Sequence, residues 1–300
     1  MTTRLKDNRG FLTFAVGKEH DYVRMAYAQA LSIKATQKNS CYCIIVDEHN
    51  AKQLTSKHYN VFDVVKVLPS NFEAVGWDMS CQWQAYNKSP WAETIKLDAD
   101  MLLLSSIDHW WDILATNEVV LTTNICDFRG EPIRSRAHRK LFDTNGLPDV
   151  YSAFMYFRPG RVSSELFYYA ERLTNEWATI TLKDEPNHSI RSDELFALAA
   201  RLTGVEKVTL PISTPLFVHA KEEVWNISST VPWHEQLYTQ WDGVKLLVGH
   251  HVQDRPFHYH HKEWLTDDII ERLERTKRYY EEPAVGIEFS TYNPPRDTST

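Results

Sequence analysis

The residues with the clearest chemical potential are Asp98 and Asp100, in the run Glu93-Thr94-Ile95-Lys96-Leu97-Asp98-Ala99-Asp100-Met101-Leu102-Leu103-Leu104. They lie between apolar stretches that ought to be buried, where an ionised carboxylate is costly unless it is paired or bound to metal. With one residue between them in a turn at a strand end, both can aim at one cation. Oxygen ligands favour Mg²⁺ or Mn²⁺. Such an ion can bridge two phosphates and neutralise a departing diphosphate. The plainer alternative is a solvated turn, where aspartate is common for reasons of local hydrogen bonding.

Three further groups could take part. The segment His258-Tyr259-His260-His261-Lys262-Glu263-Trp264 offers imidazoles, which are frequent ligands of divalent transition metals. In an extended strand His258 and His260 share a face and His261 takes the other. Ser192-Asp193-Glu194 opens a helical pattern and reads equally as a capping sequence, with Ser192 as N-cap, and as acids placed for chemistry. Arg129, Arg134, Arg136, His138, Arg139 and Lys140 lie in one loop-rich stretch, which reads as a solvated basic loop or as a phosphate-contacting one.

The elements that position these residues begin with alternating strands and helices. Apolar runs predict strands at Phe11–Gly17, Cys41–Val46, Val61–Leu68 and Thr94–Leu97. Helical spacing covers Asp21–Thr36, and a second helix is expected over about Trp77–Asn87. That alternation implies an α/β fold with a Rossmann-like, mostly parallel central sheet flanked by helices. Ligands of such sheets bind beyond the carboxyl ends of the strands, where Gly17, Asp47 and Asp98 would gather. The second half is mixed, with strands at Glu118–Ile125, Ala153–Arg158, Lys207–Leu210 and Lys245–Gly249 and helices at Val162–Trp177 and Ser192–Leu202. With no convincing linker, residues 1–275 read as one domain and residues 276–300 as an extended tail.

The stretch Ser89-Pro90-Trp91-Ala92-Glu93-Thr94-Ile95-Lys96-Leu97-Asp98-Ala99-Asp100-Met101-Leu102 resembles the central motif of GT-A glycosyltransferases, above all glycosyltransferase family eight and related phage enzymes. Phe14-Ala15-Val16-Gly17 with Tyr22 and Ser32 is similar to that family's nucleotide-binding opening, and Ser152–Arg158 and Ser192–Ala199 are similar to its sugar-pocket strand and acidic helix start. The resemblance implies a GT-A fold and a nucleotide-sugar donor, UDP-linked, contacted by Ala15, Val16, Gly17, Tyr22, Asp98 and Lys262. It implies Mn²⁺ or Mg²⁺ on Asp98 and Asp100 completed by His260 or His261, and Asp193 and Glu194 at the reacting sugar. It also implies retention of configuration. The acceptor is a hydroxyl, and the phage flavour raises hydroxymethylated DNA bases beside glycans and small molecules. Two departures stand out. The family's basic residue in the helix before the metal strand falls near Gln82, and its glycine-containing pocket strand is here Ser152-Ala153-Phe154.

Bulk properties narrow the alternatives. The chain has 300 residues, 43% of them hydrophobic, enough for a sizeable core. A net charge of -7 argues against a chain coated by nucleic acid. Four cysteines without a zinc-type spacing, and an N-terminus lacking an apolar signal core, read as free thiols in the cytoplasm and no membrane partner. Two rivals remain. A haloacid-dehalogenase-like phosphatase also carries Asp-x-Asp after an apolar strand, but normally with Thr or Val where this chain has Leu102. A non-catalytic nucleotide-sugar-binding protein would bind donor without turnover.

Overall fold

A computed structural model of the chain describes residues 5–69, 78–133, 137–177, 180, 191–205, 215–242 and 245–281. Strands β1 (Leu5–Ala15), β2 (Cys41–Val46), β3 (Val64–Val67) and β4 (Trp91–Leu97) run parallel. Strand β5 (Met101–Leu102) leaves for a smaller sheet, while β6 (Val119–Thr122) and β7 (Tyr151–Phe157) return, with β7 antiparallel to both β4 and β6. The order is β3-β2-β1-β4-β7-β6, so the chain crosses from one side of β1 to the other between β3 and β4. Crossing points of this kind open a crevice at the carboxyl ends of the strands.

Both faces of the sheet are covered, which is why its strands read as nearly continuous apolar runs. Side chains alternate between two cores. Phe11, Ala15, Tyr42, Ile44 and Val46 enter one core with the helix Tyr22–Thr36, and Leu12, Phe14, Cys43 and Ile45 enter the other with the helices Arg161–Asn175 and Ser192–Thr203. The first helix is buried at Val23 and from Met25 to Ile33 because the sheet lies on one side and the last helix, Asp267–Glu281, packs on the other. That last helix corrects the expected tail: residues 276–281 are helical, the acidic start Asp267-Asp268 suiting a helix N-terminus.

Two small sheets complete the fold. Strand β8 (Val218–His219) belongs to one, and β9 (Thr239–Trp241), β10 (Leu246–Val248) and β11 (His251–Gln253) form the other. Strand β12 (Phe257–His258) lies between β5 and β8. The segment before β4 is a 3₁₀ helix, Asp78–Gln84, followed by one α-turn, Ala85–Lys88, that stops at Ser89 because Pro90 disfavours helical backbone there. The expected strand at Lys207–Leu210, Trp77, Arg134, Arg136 and residues 282–300 lie outside the described residues. All four cysteines are thiols, and burial pushes Cys43 up to about 12 and Cys126 up to about 11. No helix of the described residues is long and apolar enough to cross a membrane.

Candidate active site

Gly17, Asp47 and Asp98 follow β1, β2 and β4 at the same end of the sheet. Gly17 has φ 113°, a backbone that side chains resist. Its N–H donates to Asp47 Oδ2 at 2.9 Å and its carbonyl accepts from Asn50 Nδ2 at 2.8 Å. Asp47 Oδ1 in turn accepts from Asn50 N at 2.7 Å, so the end of β2 clamps the turn after β1. Ala15 and Val16 bury their side chains, leaving main chain as what they can offer a ligand. Tyr22 is half-buried against the first core, with its ring edge-on to His20 at 5.9 Å.

The Asp98-Ala99-Asp100 turn is held from inside the core. The Asp98 amide donates to Ala153 O at 2.9 Å. Gln29 Nε2 donates to Asp98 O at 2.6 Å and to Met101 O at 3.1 Å, while Gln29 Oε1 accepts from Tyr42 Oη at 2.9 Å and from the Thr13 hydroxyl. Ser32 Oγ accepts from Leu103 N at 3.0 Å. Gln29 escaped the sequence reading. Its signal was available: two polar residues, Gln29 and Ser32, three apart on a helix otherwise apolar there.

Register then delivers the histidines. In β12 His258 stands opposite Met101 of β5 and beside His219 of β8, and Tyr259 N donates to Asp100 O at 3.1 Å. Ligand atoms of Asp100, His258 and His260 lie within 4.8 Å of one another. His258 Nε2 is 3.0 Å from Asp100 Oδ2, and its Nδ1 is 3.0 Å from His219 Nδ1. The chain leaves the strand after His258, and His260 takes φ 58°, so a left-handed turn rather than strand alternation brings its ring back. Lys262 places its ammonium on Asp100 Oδ2 and donates to His260 O at 2.7 Å. The other two residues of the expected metal set have partners of their own. Asp98 Oδ1 accepts from Lys96 Nζ at 2.5 Å, and His261 Nε2 is 2.8 Å from Glu222 Oε1.

Burial opposes the charge on Asp100, but His258 and Lys262 outweigh it and hold the carboxyl well below its ordinary range. Burial, assisted by His258, pushes His260 down to about 3 and His219 well below the usual imidazole value. Both therefore stay neutral near pH 7, the form that binds metals. Burial lowers His58, His138 and His234 as well. Their folded pKa values lie below the unfolded value of about 6.5, so the unfolded chain takes up protons first and stability falls as pH drops through that value. Melting in EDTA is expected to show the midpoint falling from pH 7 to pH 5, at about 2–4 °C per kcal/mol lost. A flat midpoint over that interval would contradict the burial of these rings.

Asp98, His258 and His260 line a cavity of about 280 Å³ with Asp193, Glu194, Arg139 and Lys221. Asp193 Oδ1 accepts from Ser152 N at 2.8 Å and Ser152 Oγ at 2.7 Å, and its Oδ2 accepts from Arg139 Nη1 at 3.0 Å. Glu194 is buried with Arg191 3.3 Å away. Ser192 is the first helical residue rather than the cap, a position Arg191 takes, and the Ser192 and Ser152 hydroxyl oxygens lie 2.7 Å apart. The basic stretch is divided where it is described: Arg129 and Lys140 are exposed and Arg139 is buried. Arg129 pairs with Asp127 at 2.8 Å, and Arg139 is buried against the rings of Tyr151 and Phe142. His138 Nε2 lies 3.1 Å from Tyr151 Oη, and Lys140 is exposed.

No protein-family model and no curated protein matches this chain. Among solved structures it is similar to the galactosyltransferase LgtC in complex with donor and acceptor sugar analogs, at 13% identity over 90% of this chain and 95% of that one, with TM-score 0.48. It is also similar to the apo structure of the bifunctional glycosyltransferase WbbM (12% identity, 92% of this chain, 50% of that one, TM-score 0.49). A third is the glycosyltransferase GlyE of Streptococcus pneumoniae (9% identity, 90% of this chain, 61% of that one, TM-score 0.47). At such identities and superpositions the likeness assigns no chemistry to this chain.

Proposed function

We propose that this chain is a metal-dependent GT-A glycosyltransferase that moves a sugar from a nucleoside-diphosphate sugar to an acceptor hydroxyl. The observation that carries the reading is the convergence of Asp100, His258 and His260 beside a cavity shared with Asp98 and Asp193. One carboxylate and two imidazoles form a mixed oxygen and nitrogen set, which suits Mn²⁺ better than Mg²⁺. Asp100 Oδ2 and His258 Nε2, 3.0 Å apart, are near enough that both would hold one cation. When bound, the cation supplies charge neutralisation for a diphosphate leaving group.

The chain's own residues supply the rest. Lys262 carries a second positive charge to the same place, with its side chain partly exposed and able to turn from Asp100 toward a phosphate. The clamped main chain at Gly17 holds one side of the nucleotide, and Tyr22 offers a ring for its base. Asp193, fixed by Ser152 and Arg139, faces the cavity as an anion that accepts sugar hydroxyls and steadies positive charge developing on the ring. Retention of configuration and a uracil-based donor belong to the same reading. So does the acceptor hydroxyl, with hydroxymethylated DNA bases as one candidate.

Thermal melting with Mn²⁺ and a panel of nucleoside diphosphates tests the donor half. One nucleotide with Mn²⁺ should stabilise the chain by about 2.7 kcal/mol at a hundred times its Kd. No shift across the panel, with folded protein, would sink the donor claim. A nucleotide-sugar panel against glycan, small-molecule and hydroxymethylated-DNA acceptors, read by intact mass, then identifies the transfer. Phosphate release without any nucleotide-sugar would favour the phosphatase instead.

A further inference from the structure

Both aspartates of the turn carry a lysine ammonium, but the two lysines differ in kind. Lys262 sits on a short 3₁₀ turn with its side chain 23% exposed, whereas the Lys96 side chain is 2% exposed inside β4. An ammonium that deep is tolerable only when fully paired and hydrogen-bonded. Lys96 meets that condition. Its three N–H groups have three acceptors: Asp98 Oδ1 at 2.5 Å, Gln82 Oε1 at 2.7 Å and Ser152 O at 3.0 Å. Gln82 returns its Nε2 toward Asp98 Oδ1 at 3.4 Å, and Ser152 uses its N–H and hydroxyl to hold Asp193. One buried cation thus ties together the carboxylates on two walls of the cavity.

We propose that Lys96 is a positioning residue that keeps Asp98 outside the cation's coordination shell, so that this chain holds its divalent ion with Asp100, His258 and His260 and presents Asp98 to the cavity as a fixed hydrogen-bond acceptor. The proposal rests on the metal-dependent reading above. Lys262 can leave Asp100 for solvent or phosphate when a cation arrives. Lys96 has nowhere to go, because leaving Asp98 would strand a buried ammonium and a carboxylate together. A divalent ion drawn onto Asp98 would also face that ammonium across one carboxylate, a like-charge contact with little water to screen it.

Mn²⁺ binding to the full chain without nucleotide, read by electron paramagnetic resonance, tests this. The variants are Asp100→Asn, Asp98→Asn and the double variant Lys96→Met/Asp98→Asn, which removes both charges and leaves no unpaired ion in the core. Asp100→Asn should weaken Mn²⁺ binding by about 100-fold or more. Asp98→Asn and the double variant should change it by less than about threefold and leave the spectrum of bound Mn²⁺ unaltered. If Asp98→Asn weakens binding as Asp100→Asn does, or alters the spectrum, the proposal is overturned while the metal site stands. If the wild-type chain binds no Mn²⁺, the metal reading fails and this proposal with it.

Discussion

Asp100→Asn is expected to lower turnover of the nucleotide-sugar by roughly 10³-fold, since a bound cation contributes several kcal/mol to leaving-group stabilisation and about 1.4 kcal/mol is tenfold in rate. The substitution keeps the shape of the side chain and removes the charge on which Lys262 and His258 converge. Its amide oxygen can still accept from His258 Nε2, and Lys262 can turn to solvent. The fold should therefore lose only about 1–3 kcal/mol, the cost of weakened buried hydrogen bonds. Two measurements separate the effects: melting in EDTA reports the fold, and the added stabilisation by Mn²⁺ reports the site. The variant should melt as one cooperative unit and gain nothing from Mn²⁺. A folded Asp100→Asn chain that keeps activity within about tenfold of wild type would remove the basis for a metal-dependent reaction.

What could be read from the sequence divides along physical lines. The parallel sheet was legible because strands buried on both faces must be continuously apolar, as Cys41–Val46 is, and the convergence of Gly17, Asp47 and Asp98 follows from parallel strands alone. The two aspartates were legible because carboxylates are expensive among apolar neighbours. The histidines near Asp100 were only half legible. Strand alternation groups His258 with His260, yet β12 ends at His258 and the left-handed backbone of His260 does the grouping instead. No local pattern announces that turn. Lys96 was illegible for a different reason. A lysine in a strand reads as an outward-facing charge, and only Gln82 and Ser152, 14 and 56 residues away, make it an interior one. Arg139 likewise looked like part of a solvated basic loop, because its partners Asp149, Asp193 and Tyr151 come together only in the folded chain.

That inward arginine sets the second large effect. Arg139 is 4% exposed, lies 3.6 Å from the Tyr151 ring centroid and 4.2 Å from that of Phe142, and donates to Val150 O at 2.6 Å. Its guanidinium pairs with Asp149 at 2.9 Å and Asp193 at 3.0 Å at once. Arg139→Met keeps the stacking volume and leaves Asp193 on Ser152 alone. Stability should fall by about 3–5 kcal/mol, the usual cost of removing one partner of a buried ion pair. Turnover should fall by about 100-fold, because a carboxylate displaced by an ångström misaligns the sugar it holds. Arg139→Lys should rescue little of either, since an ammonium can neither lie flat between two rings nor span two carboxylates as the planar fork does. Mn²⁺ binding provides the contrast: Asp100, His258 and His260 are placed by β5, β12 and the turn after it rather than by this arginine, whose carboxylate partners are Asp149 and Asp193, so their affinity for the ion should stay as in wild type. A lowered kcat with unchanged Mn²⁺ affinity in Arg139→Met, set against the loss of both in Asp100→Asn, would separate a sugar-holding wall from a metal-holding one. Equal loss of Mn²⁺ binding in the two variants would mean the walls are one unit and that Asp193 has no role of its own.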